Sequence, residues 1–309
     1  MNPVISVIIP TRSRPQLLQR AIVSALAQTE SRIEIVVVID GRDEATGLAL
    51  DGIEDNRVRR VALDDAVGGA EARNVGARAA KGRWIALLDD DDEWMPDKLA
   101  AQLQVAEEAE NELVVSCQYV VRRPNHPDVL RPRRFPKPGE PISEYMFDYL
   151  CYSQTSTFFC SRNLMLRIPF QKDLPSFQDI DWFLRATTAP GVFFHAVPKP
   201  LSIYHSPEER GTITSKLTWE ARLAWGRTNR HRMSRRGYSQ FIAGSCVARA
   251  AQDKAGLRGL FLLLHECILR GSAKPVNVAM ILGMFLVPPE MRRRIRDSWF
   301  LPAYRGSNS

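Results

Sequence analysis

Residues 84–92 read Trp84-Ile85-Ala86-Leu87-Leu88-Asp89-Asp90-Asp91-Asp92. The first five form an apolar run, which is typical of a buried strand. A strand cannot bury four consecutive carboxylates, so the aspartates must lie where the strand ends, either in solvent or around a cation. Carboxylate oxygens are preferred ligands of Mg²⁺ and Mn²⁺, and open α/β sheets bind ligands at the carboxyl ends of their strands. The run therefore indicates either a metal site for a phosphate-bearing ligand or a solvated acidic turn.

Strand and helix signals alternate on both sides of this run. Apolar runs predict strands over residues 4–9, 33–39, 58–63 and 84–88. Helix-start signals lie between or after them, at Pro15, Gly69 and Pro96. The alternation predicts an α/β fold with a mostly parallel sheet flanked by helices. The polar residues Thr11, Asp40 and Asp89, which end three of these strands, should then meet at one edge of the sheet.

The composition is that of an ordinary globular protein. Its 309 residues are 45% hydrophobic, which is enough for more than one domain-sized core. The five cysteines are scattered and lack CxxC spacing, which favours reduced thiols over a zinc site or a disulfide framework. The N-terminus lacks the basic region of a signal peptide, and the longest apolar segment, 278–287, is too short to span a bilayer. We therefore expect a cytoplasmic protein.

Charge divides the chain into an acidic body and a basic C-terminal region. Residues 216–309 carry 17 Lys and Arg but only 5 Asp and Glu, whereas the formal net charge of the whole chain is +7. We predict two domains, 1–215 and a C-terminal α-helical extension over 216–309, whose short helices are separated at positions such as Gly237 and Pro275. Such a region suits an anionic partner, a membrane surface or nucleic acid, or is a solvated helical face. Within 122–142, prolines interleaved with arginines predict a surface loop.

Four stretches follow one another along the chain in a recognisable order. They read Ser6-Val7-Ile8-Ile9-Pro10-Thr11, Glu34-Ile35-Val36-Val37-Val38-Ile39-Asp40-Gly41, Ala72-Arg73-Asn74-Val75-Gly76 and Gly82-Arg83-Trp84-Ile85-Ala86-Leu87-Leu88-Asp89-Asp90-Asp91-Asp92-Glu93-Trp94-Met95-Pro96-Asp97-Lys98-Leu99. Together they resemble the family-2 glycosyltransferases, which have the Rossmann-like GT-A fold. The last stretch is similar to the DxD segment of that family almost residue for residue. The resemblance covers residues 1–205 and does not extend into the C-terminal region.

The resemblance implies a binding site for a nucleotide-sugar donor. Thr11 and Asp40 match positions that contact the nucleoside, and Asp40 could accept hydrogen bonds from the base. Arg73 lies near a helix N-terminus, where it could face the base or the diphosphate. Asp89 would reach the ribose or the sugar, and Asp90 is the variable middle position of the donor-binding motif.

The same resemblance implies a divalent cation, Mn²⁺ or Mg²⁺, as cofactor. Asp91 would be the principal metal ligand, and Asp92 would brace the turn that follows. His205 lies where some relatives place a histidine near the metal and the diphosphate. A lone histidine is more often a surface or packing residue, which is the alternative interpretation of His205.

A catalytic base is expected in a separate stretch that reads Phe177-Gln178-Asp179-Ile180-Asp181-Trp182-Phe183-Leu184-Arg185. It resembles the Glu-Asp-x-Asp motif that these transferases carry at a helix start, and by position Asp179 is the candidate general base. The alternative is that Asp179 caps the helix, a role that Asp also favours. The usual Glu of the motif is Gln178 here, which keeps the shape and a hydrogen-bond acceptor but lacks the charge.

These residues predict an inverting, metal-dependent glycosyltransferase. It would move a sugar from a nucleotide donor, with a UDP-sugar favoured, to the hydroxyl of a saccharide or lipid-linked acceptor in cell-surface polysaccharide or glycolipid synthesis. The alternative is a non-catalytic assembly protein that binds a nucleotide-sugar, for which Gln178 is the support. A pyrophosphorylase would need a glycine-rich loop after the first strand, and residues 10–15 contain no glycine. No nucleic-acid-reading motif accompanies the basic region, so nucleic acid is not an expected partner.

The basic region also predicts peripheral contact with the inner face of a membrane. Residues 259–264 and 278–287 supply apolar faces, and 292–296 supply positive charge for anionic lipid. The same helices could instead pack on the catalytic domain or pair in a homodimer.

Overall fold

The computed structural model describes residues 3–148, 151, 153–206, 217–287 and 291. These residues form two compact units, the first drawn from 1–131 and 153–208 and the second from 132–152 and 209–309. Residues 132–148, which the sequence analysis assigned to the first domain, group with the C-terminal helices in this division. The basic stretch 292–296 lies outside the described residues.

The first unit is built on a nine-stranded sheet. Its strands are β1 (Ile5–Thr11), β2 (Ile33–Ile39), β3 (Val58–Ala62), β4 (Trp84–Leu87), β5 (Glu93–Trp94), β6 (Glu112–Arg122), β7 (Val129–Arg131), β8 (Phe159–Ser161) and β9 (Val192–His205). They lie in the order β3-β2-β1-β4-β8-β6-β9-β5, with β7 paired to β6. Strands β1, β2, β3, β4, β6 and β9 share one direction, and β5, β7 and β8 run against them.

The central strands of this sheet are buried on both faces. Every residue of β1, β2 and β4 is buried, including the polar Ser6 and Glu34. Ser6 donates a 2.5 Å hydrogen bond to Glu34, which also accepts from Arg59 and thereby satisfies the buried carboxylate. Near-continuous apolar runs of this kind are characteristic of parallel strands covered by helices. The predicted mostly parallel sheet is therefore confirmed.

Twelve α-helices lie in the described part of the chain, along with short 3₁₀ and π-helical turns. They are α1 (Pro15–Leu26), α2 (Glu44–Asp51), α3 (Gly69–Ala79), α4 (Lys98–Glu108), α5 (Ile142–Met146), α6 (Arg162–Arg167), α7 (Gln178–Thr187), α8 (Trp219–Thr228), α9 (Arg235–Phe241), α10 (Val247–Gln252), α11 (Gly256–His265) and α12 (Pro275–Leu286). Helix α1 begins at Pro15 as predicted and buries Leu18, Ala21, Ile22 and Ala25.

Residues 122–142 are not a loop throughout, because β7 forms within them. Residues 129–131 pair antiparallel with 119–121 of β6. Pro127 and Pro132 lie outside the strand, so neither removes a hydrogen-bond donor from the ladder. The composition of this segment correctly marks its ends as irregular but conceals the strand between them.

The second unit contains α5 and the helices from α8 to α12. The predicted helix break at Gly237 is wrong, because Gly237 lies inside α9. A Cβ at this position would lie 2.4 Å from the Oγ of Ser143 in α5. Glycine is required here for the close approach of two helices rather than for a turn.

The described residues also bear on two predictions from the sequence, one about the cysteines and one about membrane-spanning segments. All five cysteines are free and buried, in agreement with the predicted reduced thiols. Every helix within the described ranges is too short or too polar to cross a bilayer.

Candidate functional site

The exits of β1, β2 and β4 meet at one edge of the sheet. The Asp40 N–H donates to the carbonyl of Thr11 at 2.9 Å, and the Leu88 N–H donates to the carbonyl of Ile8 at 3.0 Å. Parallel pairing of β1 with both neighbours fixes this register. The predicted convergence of polar residues at the carboxyl edge is confirmed.

Arg73 connects the aspartate run to the segment that carries the candidate base. Its Nη2 donates to the Oδ1 of Asp89 at 2.5 Å, and its Nη1 donates to the Oε1 of Gln178 at 3.5 Å. The guanidinium also lies over the ring of Phe170, 5.5 Å from its centre. Burial, the largest single effect, opposes the charge on Arg73, but the carboxylates of Asp89, Asp179 and Asp90 together outweigh it, so the pKa of Arg73 is raised. The negative charge of Asp89 at the end of β4 is thus balanced by the nearly buried guanidinium of Arg73.

Asp90 is the most deeply enclosed member of the run at this edge. Its side chain has no exposed surface and accepts hydrogen bonds from Thr11 Oγ1 at 2.7 Å and Arg14 Nε at 3.0 Å. Burial raises the pKa of Asp90 to about 6, although the charge of Arg14 opposes the shift. In this structure Thr11 and Asp90 bind each other, so they join the end of β1 to the end of β4.

Asp91, the predicted metal ligand, points toward solvent. Its side chain is 30% exposed, and its Oδ2 accepts from Arg14 Nη1 at 3.0 Å. The Nη2 of Arg20 donates to the Asp91 carbonyl at 2.6 Å and holds the backbone of the run. Within the described ranges, no group of three or more His, Cys, Asp or Glu side chains is arranged to hold a metal ion. A cation bound to Asp91 would therefore need additional ligands from outside the protein. Mg²⁺ binds in this way when one or two carboxylates hold it together with phosphate oxygens and water.

Asp92 braces the turn from inside the protein, as expected. Its Oδ2 accepts from Ser156 Oγ at 2.5 Å, and its Oδ1 accepts from the backbone N–H of His205 at 3.3 Å. Ser156 Oγ in turn accepts from the Asp89 N–H at 3.0 Å. Burial and the neighbouring carboxylates raise the pKa of Asp92 well above its ordinary value.

The ring of His205 lies on Glu93. Its Nε2 is 2.5 Å from Glu93 Oε1, and its side chain is 22% exposed. Burial lowers the pKa of His205, and the hydrogen bond with Glu93 opposes that shift. The backbone bond to Asp92 keeps His205 beside the run, but one of its two ring nitrogens, Nε2, is engaged by Glu93.

Asp40 holds the loop that leads into α3. Its Oδ1 accepts from the Val67 N–H at 2.6 Å, and its Oδ2 accepts from the Gly68 N–H at 3.0 Å. Gly68 has φ +85°, a conformation that glycine adopts without strain. The carboxylate predicted to contact a base therefore also shapes the loop beside it.

Asp179 lies in the first turn of α7 and is half-buried. Phe177, which precedes this helix, is buried and has φ +63°, an uncommon conformation for a bulky residue. Asp181 accepts from Arg185 Nε at 2.7 Å, and Arg185 also holds the Pro169 carbonyl. These contacts fix the start of α7 near Arg73.

Four residues of this edge were given no role from the sequence: Arg14, Arg20, Ser156 and Glu93. Arg14 follows the first of the quoted stretches and Glu93 lies inside the last one, and their charge was the available signal. Ser156 lies in a 3₁₀ turn at Thr155–Thr157, far from the run in sequence, and no local pattern marks it.

The sequence model of the family described as glycosyl transferase family 2 matches residues 6–173. The chain belongs to glycosyl transferase family 2. The matched range includes the three strand exits and the aspartate run.

Members of this family involved in polysaccharide synthesis are among the relatives. The chain is 25% identical over 262 residues to the amylovoran biosynthesis glycosyltransferase AmsB of Erwinia amylovora, which covers 82% of this chain and 86% of AmsB. It is 41% identical over 119 residues to the succinoglycan biosynthesis protein ExoO of Rhizobium meliloti. That match covers 38% of this chain and spans only 34% of ExoO.

A solved structure of another glycosyltransferase shares the fold. The mannosyltransferase PcManGT of Pyrobaculum calidifontis, in complex with GDP-Man and Mn²⁺, matches with a TM-score of 0.53 at 17% sequence identity. The match covers 96% of this chain and 80% of PcManGT. The predicted GT-A fold, a mostly parallel sheet flanked by helices and followed by C-terminal helices, is confirmed.

Proposed function

We propose that this family-2 member is an inverting glycosyltransferase that uses a nucleotide-diphosphate sugar. The observation that carries the proposal is the position of Arg73, whose guanidinium binds both Asp89 at the end of β4 and Gln178 at the start of α7. This arrangement supports a donor site and a general base, Asp179, that lie on the same side of the Arg73 guanidinium.

The donor would lie along the edge where β1, β2 and β4 end. Thr11 and Asp40 would contact the nucleoside, and Arg73 would face the diphosphate, whose negative charge it can stabilise. Asp89 would border the ribose and the sugar, and the buried Asp90, the middle position of the donor-binding motif, would hold Thr11 and Arg14 beside them. The Nε of Arg73 is buried and has no hydrogen-bond partner among the described residues, which supports an anionic ligand at this point.

A divalent cation fits the carboxylates of this edge. Asp91 would hold it, since its side chain is the most exposed of the run, and His205 is a second candidate that would first have to leave Glu93. When bound, Mn²⁺ or Mg²⁺ would neutralise charge on the departing diphosphate. PcManGT was solved with Mn²⁺, which supports this cofactor by analogy.

The transfer follows from the placement of base and donor. Asp179 accepts the proton of the acceptor hydroxyl as its oxygen forms a bond to the anomeric carbon. The bond from that carbon to the diphosphate oxygen breaks, and its electron pair leaves with the nucleoside diphosphate. Attack from the face opposite the leaving group inverts the anomeric configuration.

The relatives support a role in polysaccharide synthesis, with a saccharide or lipid-linked acceptor. Both AmsB and ExoO are named for the synthesis of a polysaccharide. A UDP-sugar remains the favoured donor class from the sequence, while GDP-Man is the donor in PcManGT. We assign transfer to the first domain, residues 1–215, and not to the basic helices.

A panel of UDP- and GDP-sugars, scored by release of nucleoside diphosphate with and without Mn²⁺, tests the proposal. The Asp179→Asn variant should lose at least about a hundred-fold in turnover, the usual contribution of a general base, while still binding donor. Asp173→Asn, which changes an exposed carboxylate before the same helix, should turn over like the wild type.

Two results would contradict the proposal. Wild-type turnover in Asp179→Asn would show that the base assignment is wrong. Donor binding without any turnover in the unmodified protein would instead favour a non-catalytic nucleotide-sugar-binding protein.

A further inference from the structure

The second unit contains a cavity of about 330 Å³ that is lined largely by cations. Its lining residues are Arg227, Arg230, His231, Met233, Arg235 and Arg270. None of them belongs to the donor site, and none was singled out from the sequence. Four guanidinium groups around one cavity need a physical reason, because like charges repel.

Two of these arginines are fixed by the end of a helix. Helix α11 continues through a π-helical turn, Glu266–Arg270, whose last carbonyls have no partner within the helix. Arg230 Nη2 donates to the Arg270 carbonyl at 2.5 Å. Arg235 donates to the carbonyls of Leu269 at 3.2 Å and Gly271 at 3.1 Å. The guanidinium groups are therefore positioned by backbone carbonyls, which leave their formal charges uncompensated.

One carboxylate serves the whole cluster. Arg227 binds the buried Glu266 at 2.6 Å, and Arg270 lies 3.6 Å from the same oxygen. In the part of the chain that the structure describes, neither Arg230 nor Arg235 forms an ion pair with a carboxylate. The cavity therefore holds an excess of about three positive charges in rigid, partly exposed positions. Arginine forks of this kind match the geometry of phosphate.

Exposed apolar side chains lie beside this charge. Leu269, whose carbonyl binds Arg235, is 65% exposed, and its neighbour Ile268 is also exposed. Leu257 and Phe261 are four residues apart on α11 and are 67% and 65% exposed. A soluble phosphate ligand would gain nothing from exposed leucines next to its site. Exposed apolar side chains along a helix whose end is surrounded by arginines are expected at the surface of an anionic membrane.

We propose that this arginine cavity binds the phosphate of an anionic membrane lipid, while Leu269 and the exposed face of α11 enter the headgroup region. The site is independent of the transferase proposal, because it uses no residue of the donor edge. It locates membrane contact at residues 227–235 and 268–271 instead of at the basic stretch 292–296.

Co-sedimentation of the full chain with vesicles tests the proposal. Binding is expected to phosphatidylcholine vesicles that contain phosphatidylglycerol and not to phosphatidylcholine alone. The double variant Arg230→Gln/Arg270→Gln should bind about twenty-five-fold more weakly, since each arginine near an anionic surface contributes roughly five-fold. Circular dichroism and the thermal midpoint would show that the variant is folded.

A matched control variant distinguishes lipid binding at the cavity from binding that depends only on the overall positive charge of the protein. Lys81→Gln/Lys172→Gln removes two exposed cations of the first unit without touching the cavity or α11, and should reduce binding much less. An equal reduction in both variants would overturn the cavity as the site. Leu269→Ser keeps every arginine and should weaken vesicle binding. It should leave unchanged the affinity with which soluble glycerol phosphate competes with vesicles for the cavity.

Other sources of phosphate give different results. Vesicle binding that Leu269→Ser leaves intact, together with equally tight binding of glycerol phosphate, would indicate a soluble phosphate ligand and overturn the lipid assignment. Binding to a single-stranded oligonucleotide but not to anionic vesicles would indicate nucleic acid and would also overturn it.

Discussion

Arg14 binds two neighbouring aspartates with one guanidinium group: its Nη2 lies 2.5 Å from Asp90 Oδ1, and its Nη1 lies 3.0 Å from Asp91 Oδ2. A metal ion that binds this oxygen of Asp91 would therefore have to compete with Arg14. We predict that Arg14→Gln increases the affinity for Mn²⁺ about five-fold, because a partly exposed ion pair of this kind contributes up to about 1 kcal/mol. Titration calorimetry with Mn²⁺ alone measures this. Arg42→Gln, which removes an exposed arginine elsewhere in the unit, should leave the affinity unchanged.

A weaker affinity for Mn²⁺ in Arg14→Gln would contradict this prediction. It would mean that Arg14 holds Asp91 in a position that favours the metal.

Asp90 should make the protein less stable as the pH rises. Its folded pKa is about 6, whereas an unfolded Asp titrates near 3.9, so the folded state binds more protons between these values. The contribution of Asp90 is fully present below about pH 4 and is lost as the pH rises through 6. Between pH 4 and pH 7 the wild type should therefore lose about 2–3 kcal/mol more than Asp90→Asn, as measured by urea denaturation.

The exposed Asp173→Asn variant is the control, and its stability should change with pH as the wild type does. Parallel pH profiles for the wild type and Asp90→Asn would show that Asp90 is not protonated in the folded protein at pH 5.

Removing the carboxylate of Asp40 should release the loop before α3. In Asp40→Ala the amides of Val67 and Gly68 lose their acceptors, so their hydrogen exchange should accelerate about ten-fold or more. Donor affinity should fall in the same variant if Asp40 also contacts the base. Asp64→Ala, an exposed change close to the loop, should affect neither measurement. Unchanged exchange at Val67 would mean that the loop keeps its shape without Asp40.

Glu266 should be a strong determinant of the stability of the second unit. It is fully buried, and it accepts from Arg227 at 2.6 Å and from the Tyr238 hydroxyl at 2.6 Å. Glu266→Ala leaves the buried Tyr238 hydroxyl without an acceptor, whereas the partly exposed Arg227 can be hydrated, so it should cost about 1–3 kcal/mol in denaturant unfolding of the full chain. Glu266→Gln keeps an acceptor oxygen and should cost less. Glu220→Ala, at an exposed position of α8, should cost almost nothing, and an equal loss there would argue against a special role for Glu266.

The strands and their exits could be read from the sequence because the signal is local. Residues 33–39 form β2 with the predicted bounds, and β4 ends at Leu87, one residue short of the predicted 84–88. The periodicity of α1 likewise marks its buried face. These elements follow from apolar runs that only a covered parallel sheet can bury.

The partners of the site residues could not be read in this way, because they depend on residues that are distant in sequence. Thr11 binds Asp90 and Arg14 binds Asp91 only because β1 and β4 are neighbours in the sheet. Gly237 illustrates the same limit, since its role is set by Ser143 on another helix and not by its own helix. Local sequence patterns mark the site residues, whereas tertiary packing decides which of them come into contact.

The bonds of the aspartate run also bear on the order in which the protein folds. Asp90 is bonded to a residue 79 positions earlier, and Asp92 is bonded to one 113 positions later. Contacts of such long range close late, because the entropy of the intervening chain must be lost first. During synthesis, this edge cannot be completed until His205 has left the ribosome. A chain that stops short of His205 can form β1 and β2 but lacks the hydrogen bond that the His205 backbone N–H donates to Asp92.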